Sequence, residues 1–295
     1  MAKPMNTVFM DADVTDDERR AALYDGQLFA YSPSPGAMAL VTLARELLEE
    51  AFAPHHPSEA QYHHAVEEYA AILGKLKPAF IHHPRAKEAI QQLLTDRGCD
   101  PERTYFDVPR LRTSTAQGYL TTGIAYAFHP HRDTWYSAPQ CQINWWMPVY
   151  PIAQDNGMAF HPHYWDRPLK NSSETYNYQE WVKHSRFIAA QQVGKDTREQ
   201  PKPQEPVELD PQVRVVTPPG GLTLFSAAQL HSSIPNTTDR TRISIDFRTV
   251  HLDDVRENRG APNIDSRCTG TTMGDYLRAT DLSPVPDEIV QAHLA

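Results

Sequence analysis

The stretch "AYAFHPHRDTWYSAPQCQINWWMPVY", residues 125–150, sets histidines and an aspartate at alternate positions and follows them with a run of aromatics. On an extended chain residues i and i+2 face the same side, so His131 and Asp133 aim together. Two such groups cover one edge of a metal ion, and a third ligand has to come from elsewhere. His129 points the same way but stands before the pair, as a neighbour facing substrate or simply packed. Trp135 and Tyr136 follow the pair and either wall a pocket or fill a core.

Residues 222–248, "LTLFSAAQLHSSIPNTTDRTRISIDFR", offer the third ligand in His231. Taken alone, His231 reads as a satisfied strand histidine. Joined to His131 and Asp133, it completes a facial triad of the kind that binds non-haem Fe(II) and leaves coordination positions open. Those positions suit a chelating 2-oxo acid and O2. Arg242, eleven residues after His231, has the forked guanidinium that pairs with a remote carboxylate such as that of 2-oxoglutarate. Arg240 is a rival for that role, since it shares a face with Arg242 if the strand begins earlier.

The bulk of the chain sets limits on this reading. A length of 295 residues, 40% hydrophobic and 22% charged, belongs to an ordinary globular protein with a sizeable core. A net charge of −9 argues against a nucleic-acid partner. No apolar run approaches the roughly 20 residues that cross a bilayer. The opening "MAKPMNTVFMDADVTDDERR" lacks the apolar core of a secretory signal, so a cytoplasmic location is expected. Cys99, Cys141 and Cys268 are odd in number, widely spaced and in no C-x-x-C pair, as expected of reduced thiols.

The texture changes along the chain. Residues 1–103 read as a mainly helical flank: "TDDERRAALY" opens with Thr15 and Glu18 at capping-box spacing, "PGAMALVTLARELLEEAF" has apolar residues at helical spacing, "SEAQYHHAVEEYAAILGKL" follows, and "RAKEAIQQLLTDRG" stops at Gly98. The adjacent histidines of this flank (55/56, 63/64, 82/83) point about 100° apart on a helix and suit solvated or packing roles. From Thr104 the composition favours strands, in "TYFDVPRLRTSTAQGYLTTGIAYAF", "QINWWMPVYPI", "GMAFHP", "VRVVTPPGGLTLFSA" and "TRISIDFRTVHL". At least seven short strands without regular helices between them imply an antiparallel barrel or sandwich. The expectation is one domain over 1–295: the flank, a core at 104–250 interrupted by a polar insertion at 165–212, and a C-terminal extension at 251–295.

The ordered set His131-Arg132-Asp133, Trp146, Asn156-Gly157, Pro162, Gly220-Gly221, His231-Ser232-Ser233 and Arg242 resembles the 2-oxoglutarate- and Fe(II)-dependent dioxygenases, and within them the phytanoyl-CoA dioxygenase-like group. The resemblance covers roughly residues 104–250. It implies a double-stranded β-helix, or jelly-roll, barrel of the cupin-like kind, mainly β with helices outside. It implies iron held by His131, Asp133 and His231, with 2-oxoglutarate seated by Arg242, Ser233 and Trp146, and O2 as co-reactant. The implied activity is hydroxylation, or another C–H oxidation, of a small-molecule metabolite. Asp133 argues against a related halogenase, which replaces that carboxylate by Gly or Ala. A barrel that binds metal or ligand without turnover is the alternative from another class. The sequence departs from the family at "FHPHYWDRP", which carries His161 and His163, and in the insertion. That insertion mixes Arg167, Lys170, Lys183, His184 and Arg186 with Trp165, Tyr176 and Trp181, a composition suited to an anionic or zwitterionic substrate with apolar bulk. Its length and polarity suit a mobile lid.

Overall fold

The computed structural model describes residues 7–126 and 129–294. The helical flank forms where its caps dictate. Thr15 and Glu18 close a reciprocal capping box at the start of α1 (Asp16–Tyr24). Ser34 caps α2 (Pro35–Phe52), whose first residue is the proline that N-termini favour. After α3 (Val66–His82) and α4 (Pro84–Asp96), the chain leaves α4 through Gly98 at φ +70°, a left-handed position that glycine adopts without strain. The flank is not purely helical. Two short strands, β1 (Val8–Met10) and β2 (Leu28–Tyr31), add to the main sheet.

The second half supplies β3 (Thr104–Phe106), β4 (Arg110–Ser114), β5 (Ile143–Pro148), β6 (Met158–Phe160), β7 (Val213–Arg214), β8 (Leu222–Ser226), β9 (His231–Ser233), β10 (Arg242–His251) and β11 (Leu277–Arg278). Three short helices accompany them, α5 (Tyr178–His184), α6 (Leu252–Arg256) and α7 (Asp287–Ala292). Among the described residues the strands form an eight-stranded mixed sheet, ordered β1-β2-β8-β5-β10-β3-β11 with β4 also on β10, and a three-stranded sheet β7-β6-β9. The expected mainly β architecture with flanking helices is present, as two sheets and not as one closed barrel among the described residues. The strand-like composition expected through residue 128 gives strands only as far as Ser114, and the chain then takes 3-10 turns at Ala116–Gly118 and Gly123–Ala125. Gly118 and Gly123 hold positive φ there. Ala127 and Phe128, at the end of that stretch, lie outside the described residues.

The main sheet is two-faced, and the alternation of its sequence says why. On β5 and β10 the odd positions Ile143, Trp145, Met147, Ile243, Ile245 and Phe247 join Leu222 and Leu224 of β8 in one core with the buried faces of α2, α3 and α4. The even positions Asn144, Trp146, Arg242, Ser244, Asp246 and Arg248, with Thr223 and Phe225 of β8, line the opposite face, as the pairings Asn144–Phe225 and Arg248–Asn144 require. That second face looks toward the smaller sheet, where Trp146, Phe160 and Phe225 share a separate apolar cluster.

Candidate metal centre

His231 opens β9 and is bridged to His131 by two backbone hydrogen bonds, His131 N to His231 O at 2.9 Å and His231 N to His131 O at 3.0 Å. This one antiparallel bridge sets the two rings beside each other, 4.3 Å between centroids. Asp133 is not on a strand, contrary to the sequence expectation, because it begins a 3-10 turn, Asp133–Tyr136. The side chains of His131 and Asp133 still converge because Arg132 between them is extended, at φ −110° and ψ 141°. The His131 Nε2–Asp133 Oδ1 distance is 3.5 Å and the His231 Nε2–Asp133 Oδ1 distance 4.0 Å. Ligand atoms from all three lie within 4.8 Å of one another, an arrangement no other group of His, Cys, Asp and Glu reaches among the described residues.

The tautomers are fixed locally. His131 Nδ1 donates to the carbonyl of His129 at 2.8 Å and His231 Nδ1 to that of Gln229 at 2.9 Å. Each Nε2 is then an acceptor turned toward the trio, and this backbone restraint on the far nitrogen is typical of metal-bound histidine. Two imidazole lone pairs and a carboxylate facing one another in a buried space repel unless a cation stands between them. The donor set of two nitrogens and one carboxylate oxygen therefore fits a divalent first-row metal.

The surroundings reinforce the charges this requires. Burial pushes the Asp133 carboxyl up, but the neighbouring His131, Arg248 and His231 side chains outweigh it and hold the group well below the usual carboxylate range, with Arg248 the permanent positive charge among them. Burial, with His131 alongside, pushes His231 down to about 3, so it is neutral and able to ligate at any ordinary pH. Arg248, 4.0 Å from Asp133 Oδ2, is partly buried, which works against its charge, yet Asp107, Asp246 and Asp133 raise its pKa. Gln142 Nε2 donates to the same Oδ2 at 3.2 Å.

Arg242 lies on the site-facing side of β10, 6% exposed. Its Nε donates to Asn156 O at 3.1 Å, its Nη1 to Ser244 Oγ at 2.6 Å, and its guanidinium lies 5.7 Å from the centre of the Trp146 ring. No carboxylate lies within ion-pair distance of it among the described residues, and burial lowers its pKa to about 10. Arg240 points outward and pairs with Glu59 at 3.1 Å, both well exposed. Ser233, partly buried, stands on the same side of β9 as His231.

Other residues singled out in the sequence fall elsewhere. His161 is 1% exposed and bonded at both nitrogens, to Leu209 O and Ser232 Oγ, a packing role. His163 bonds Glu208 O. Trp135 is fully buried, its indole nitrogen on Asp265 Oδ1 at 2.7 Å, whereas Tyr136 packs edge-on to His131 at 5.5 Å. His129 Nε2 and the Tyr136 hydroxyl both donate to the carbonyl of Pro201, at 2.8 and 3.1 Å, which ties the insertion to the rim of the site. The insertion is further pinned where Asp196 and Arg198 bond the backbone of Gly123. Several of its charges face solvent: Arg167 pairs with Glu208 and His184 with Glu180, all more than half exposed. Gln142, Asn144, Thr223 and Arg248 escaped the sequence reading. Their signal was the polar residue at every second position of an otherwise apolar strand.

No protein-family model matches the sequence, and no curated protein matches it. Among solved structures the chain is similar to the non-heme monooxygenase ThoJ, with 16% identity over 75% of this chain and 71% of that one and a TM-score of 0.38. It is similar to EvdO2 from Micromonospora carbonacea var. aurantiaca complexed with 2-oxoglutarate, with 14% identity, 59% of this chain, 62% of that chain and a TM-score of 0.36. It is also similar to SnoN, a non-heme alpha ketoglutarate dependent epimerase from nogalamycin biosynthesis, with 15% identity, 79% and 80% coverage and a TM-score of 0.38. TM-scores this low assign neither activity nor substrate.

Proposed function

We propose that the protein is an Fe(II)- and 2-oxoglutarate-dependent oxygenase of the jelly-roll type that oxidises a C–H position of a small-molecule metabolite. The observation that carries this is the presence of two complementary sites, the trio held by β9 and the turn at Asp133, and Arg242 on the site-facing side of the main sheet. His131, Asp133 and His231 converge as a group that could hold a metal ion, and Arg242 is a buried guanidinium without a carboxylate partner among the described residues. The triad residues would hold the iron, and Arg242 would pair with the remote carboxylate of 2-oxoglutarate beside Trp146 and Ser233. Bound there, iron with 2-oxoglutarate and O2 supplies the oxidising power for C–H attack, releasing succinate and CO2 with one oxygen atom going to the substrate.

The chain's own residues do the positioning. The carbonyls of His129 and Gln229 orient the two imidazoles, Gln142 and Arg248 steady the Asp133 carboxylate, and the buried rings of Phe160 and Phe225 exclude water beside His231. The buried Thr223 Oγ1 and Asn144 Nδ2 on the same face have no hydrogen-bond partner among the described residues, as polar groups reserved for a bound ligand would. Asp133 weighs against a halogenase. The test is anaerobic addition of Fe(II) and 2-oxoglutarate: a visible charge-transfer band and, in air, slow conversion to succinate are expected. Neither signal appearing would overturn the reading and favour a barrel that binds without turnover.

A further inference from the structure

The orientation of the amides beside Asp133 is set by chemistry. A metal-ligating carboxylate only accepts, so the Gln142 atom 3.2 Å from Asp133 Oδ2 is its NH2 group. That NH2 has a second hydrogen, and it lies 2.9 Å from the side chain of Asn144, whose facing atom must therefore be the carbonyl oxygen. The Tyr276 hydroxyl, from the C-terminal extension, donates to Gln142 Oε1 at 2.7 Å and locks the amide in this sense. Gln142, Asn144 and Tyr276 are 2%, 4% and 1% exposed, so no solvent competes for these bonds. The chain of bonds leaves Asn144 Nδ2 as a buried donor without a partner among the described residues.

Its place is informative. On the site-facing side of the main sheet, Asn144 stands between Phe225, whose ring is 4.8 Å from that of His231, and Arg248, 4.0 Å from Asp133 Oδ2. An orphaned donor in such a setting costs on the order of a lost hydrogen bond and persists where a ligand supplies the acceptor.

We propose that Asn144 Nδ2 donates a hydrogen bond to the oxygen-rich head of a 2-oxo acid bound on the open side of the His131–Asp133–His231 trio, and that Gln142 and Tyr276 are positioning residues that keep this donor aimed. The inference rests on the functional reading above and extends it to residues at the opposite end of the cosubstrate from Arg242. Asn144→Asp keeps the shape and the bond from Gln142 but turns an anion toward the ligand. Asn144→Ala deletes the donor without adding charge.

The experiment is calorimetric titration of 2-oxoglutarate into the Ni(II)-loaded protein without O2, with Ni(II) affinity measured separately. The expected result is a weakening of about 30-fold or more for Asn144→Asp, about tenfold for Asn144→Ala and about fivefold for Tyr276→Phe, with Ni(II) affinity of Asn144→Ala and Tyr276→Phe close to wild type. The alanine variant decides the case if the aspartate variant fails to fold. Unchanged 2-oxoglutarate affinity in Asn144→Ala, beside a wild type that binds it, overturns this inference alone. A wild type that binds Ni(II) but not 2-oxoglutarate removes the functional reading and this inference with it.

Discussion

Replacing Arg242 by methionine separates a binding role from a structural one, because the two roles move stability in opposite directions. Burial lowers the Arg242 pKa from its ordinary 12.5 to about 10, which corresponds to roughly 3 kcal/mol held against the unliganded fold. The sign follows from linkage: a base whose folded pKa lies below its unfolded value destabilises the fold at every pH where it is protonated, here all pH below about 10. Methionine removes that penalty and keeps an apolar stem against Trp146, but it forfeits the bonds to Asn156 O and Ser244 Oγ, at about 1 kcal/mol each. The terms nearly cancel, so Arg242→Met is expected to melt within about 3 °C of wild type or slightly above it. Its affinity for 2-oxoglutarate should nonetheless fall at least about 30-fold, since losing one partner of a buried charge pair costs about 2–5 kcal/mol. Differential scanning calorimetry and titration of the metal-loaded protein provide both readings. Arg240→Met, at an exposed pair with Glu59, is the control and should change neither. The reasoning fails if Arg242→Met binds 2-oxoglutarate like wild type, or if the control reproduces the loss.

His131→Ala, Asp133→Ala and His231→Ala should each weaken Ni(II) or Co(II) binding about 100-fold or more while circular dichroism stays native; one variant with wild-type metal content would remove that residue from the set. Acidification should destabilise the metal-free protein between about pH 6.5 and 3, because His231, held at about 3, stays neutral in the fold while its unfolded counterpart takes up a proton. The slope attributable to it is at most about 1.4 kcal/mol per pH unit, and urea titrations of His231→Gln should show a flatter profile. Gly123→Ala should cost about 2 kcal/mol or more, since φ is +59° and a Cβ would meet Ala189 O at 2.4 Å. An unchanged urea midpoint would mean that the insertion yields freely at that point.

The parts of the fold written in short-range chemistry were legible. Pro35 and Gly98 mark helix ends, and the alternation in "RISIDFR" separates a core face from a polar one. The candidate metal ligands stood out because His131 and Asp133 flank a single residue. Long-range pairing left no such mark. Nothing near Phe29 announces that it pairs with Leu224, so β2 read as part of a helical region. The turn at Asp133 was hidden for a different reason: only one residue, Arg132, has to be extended for the two side chains to converge, and a strand was not needed. Arg240 and Arg242 could not be told apart by spacing; the register that pairs Arg242 with Ser114 and Ser244 with Pro148 separates them. Asn144 drew no reading from the sequence, because what fixes its orientation is Gln142 together with Tyr276, the latter more than 130 positions away.

The Pro201 carbonyl that receives both His129 and Tyr136 belongs to a strap held at two other points, by Asp196 and Arg198 on Gly123 and by backbone bonds joining Ser172 to Lys202 and Lys170 to Gln204. Because the acceptor is main chain, its service does not depend on which side chain stands at that position; it depends on how many residues separate the anchors. Variation in this strap is thus cheap by substitution and costly by insertion or deletion. The side chains at 199–204 can be exchanged while His129 and Tyr136 keep their places beside the His131–Asp133–His231 trio.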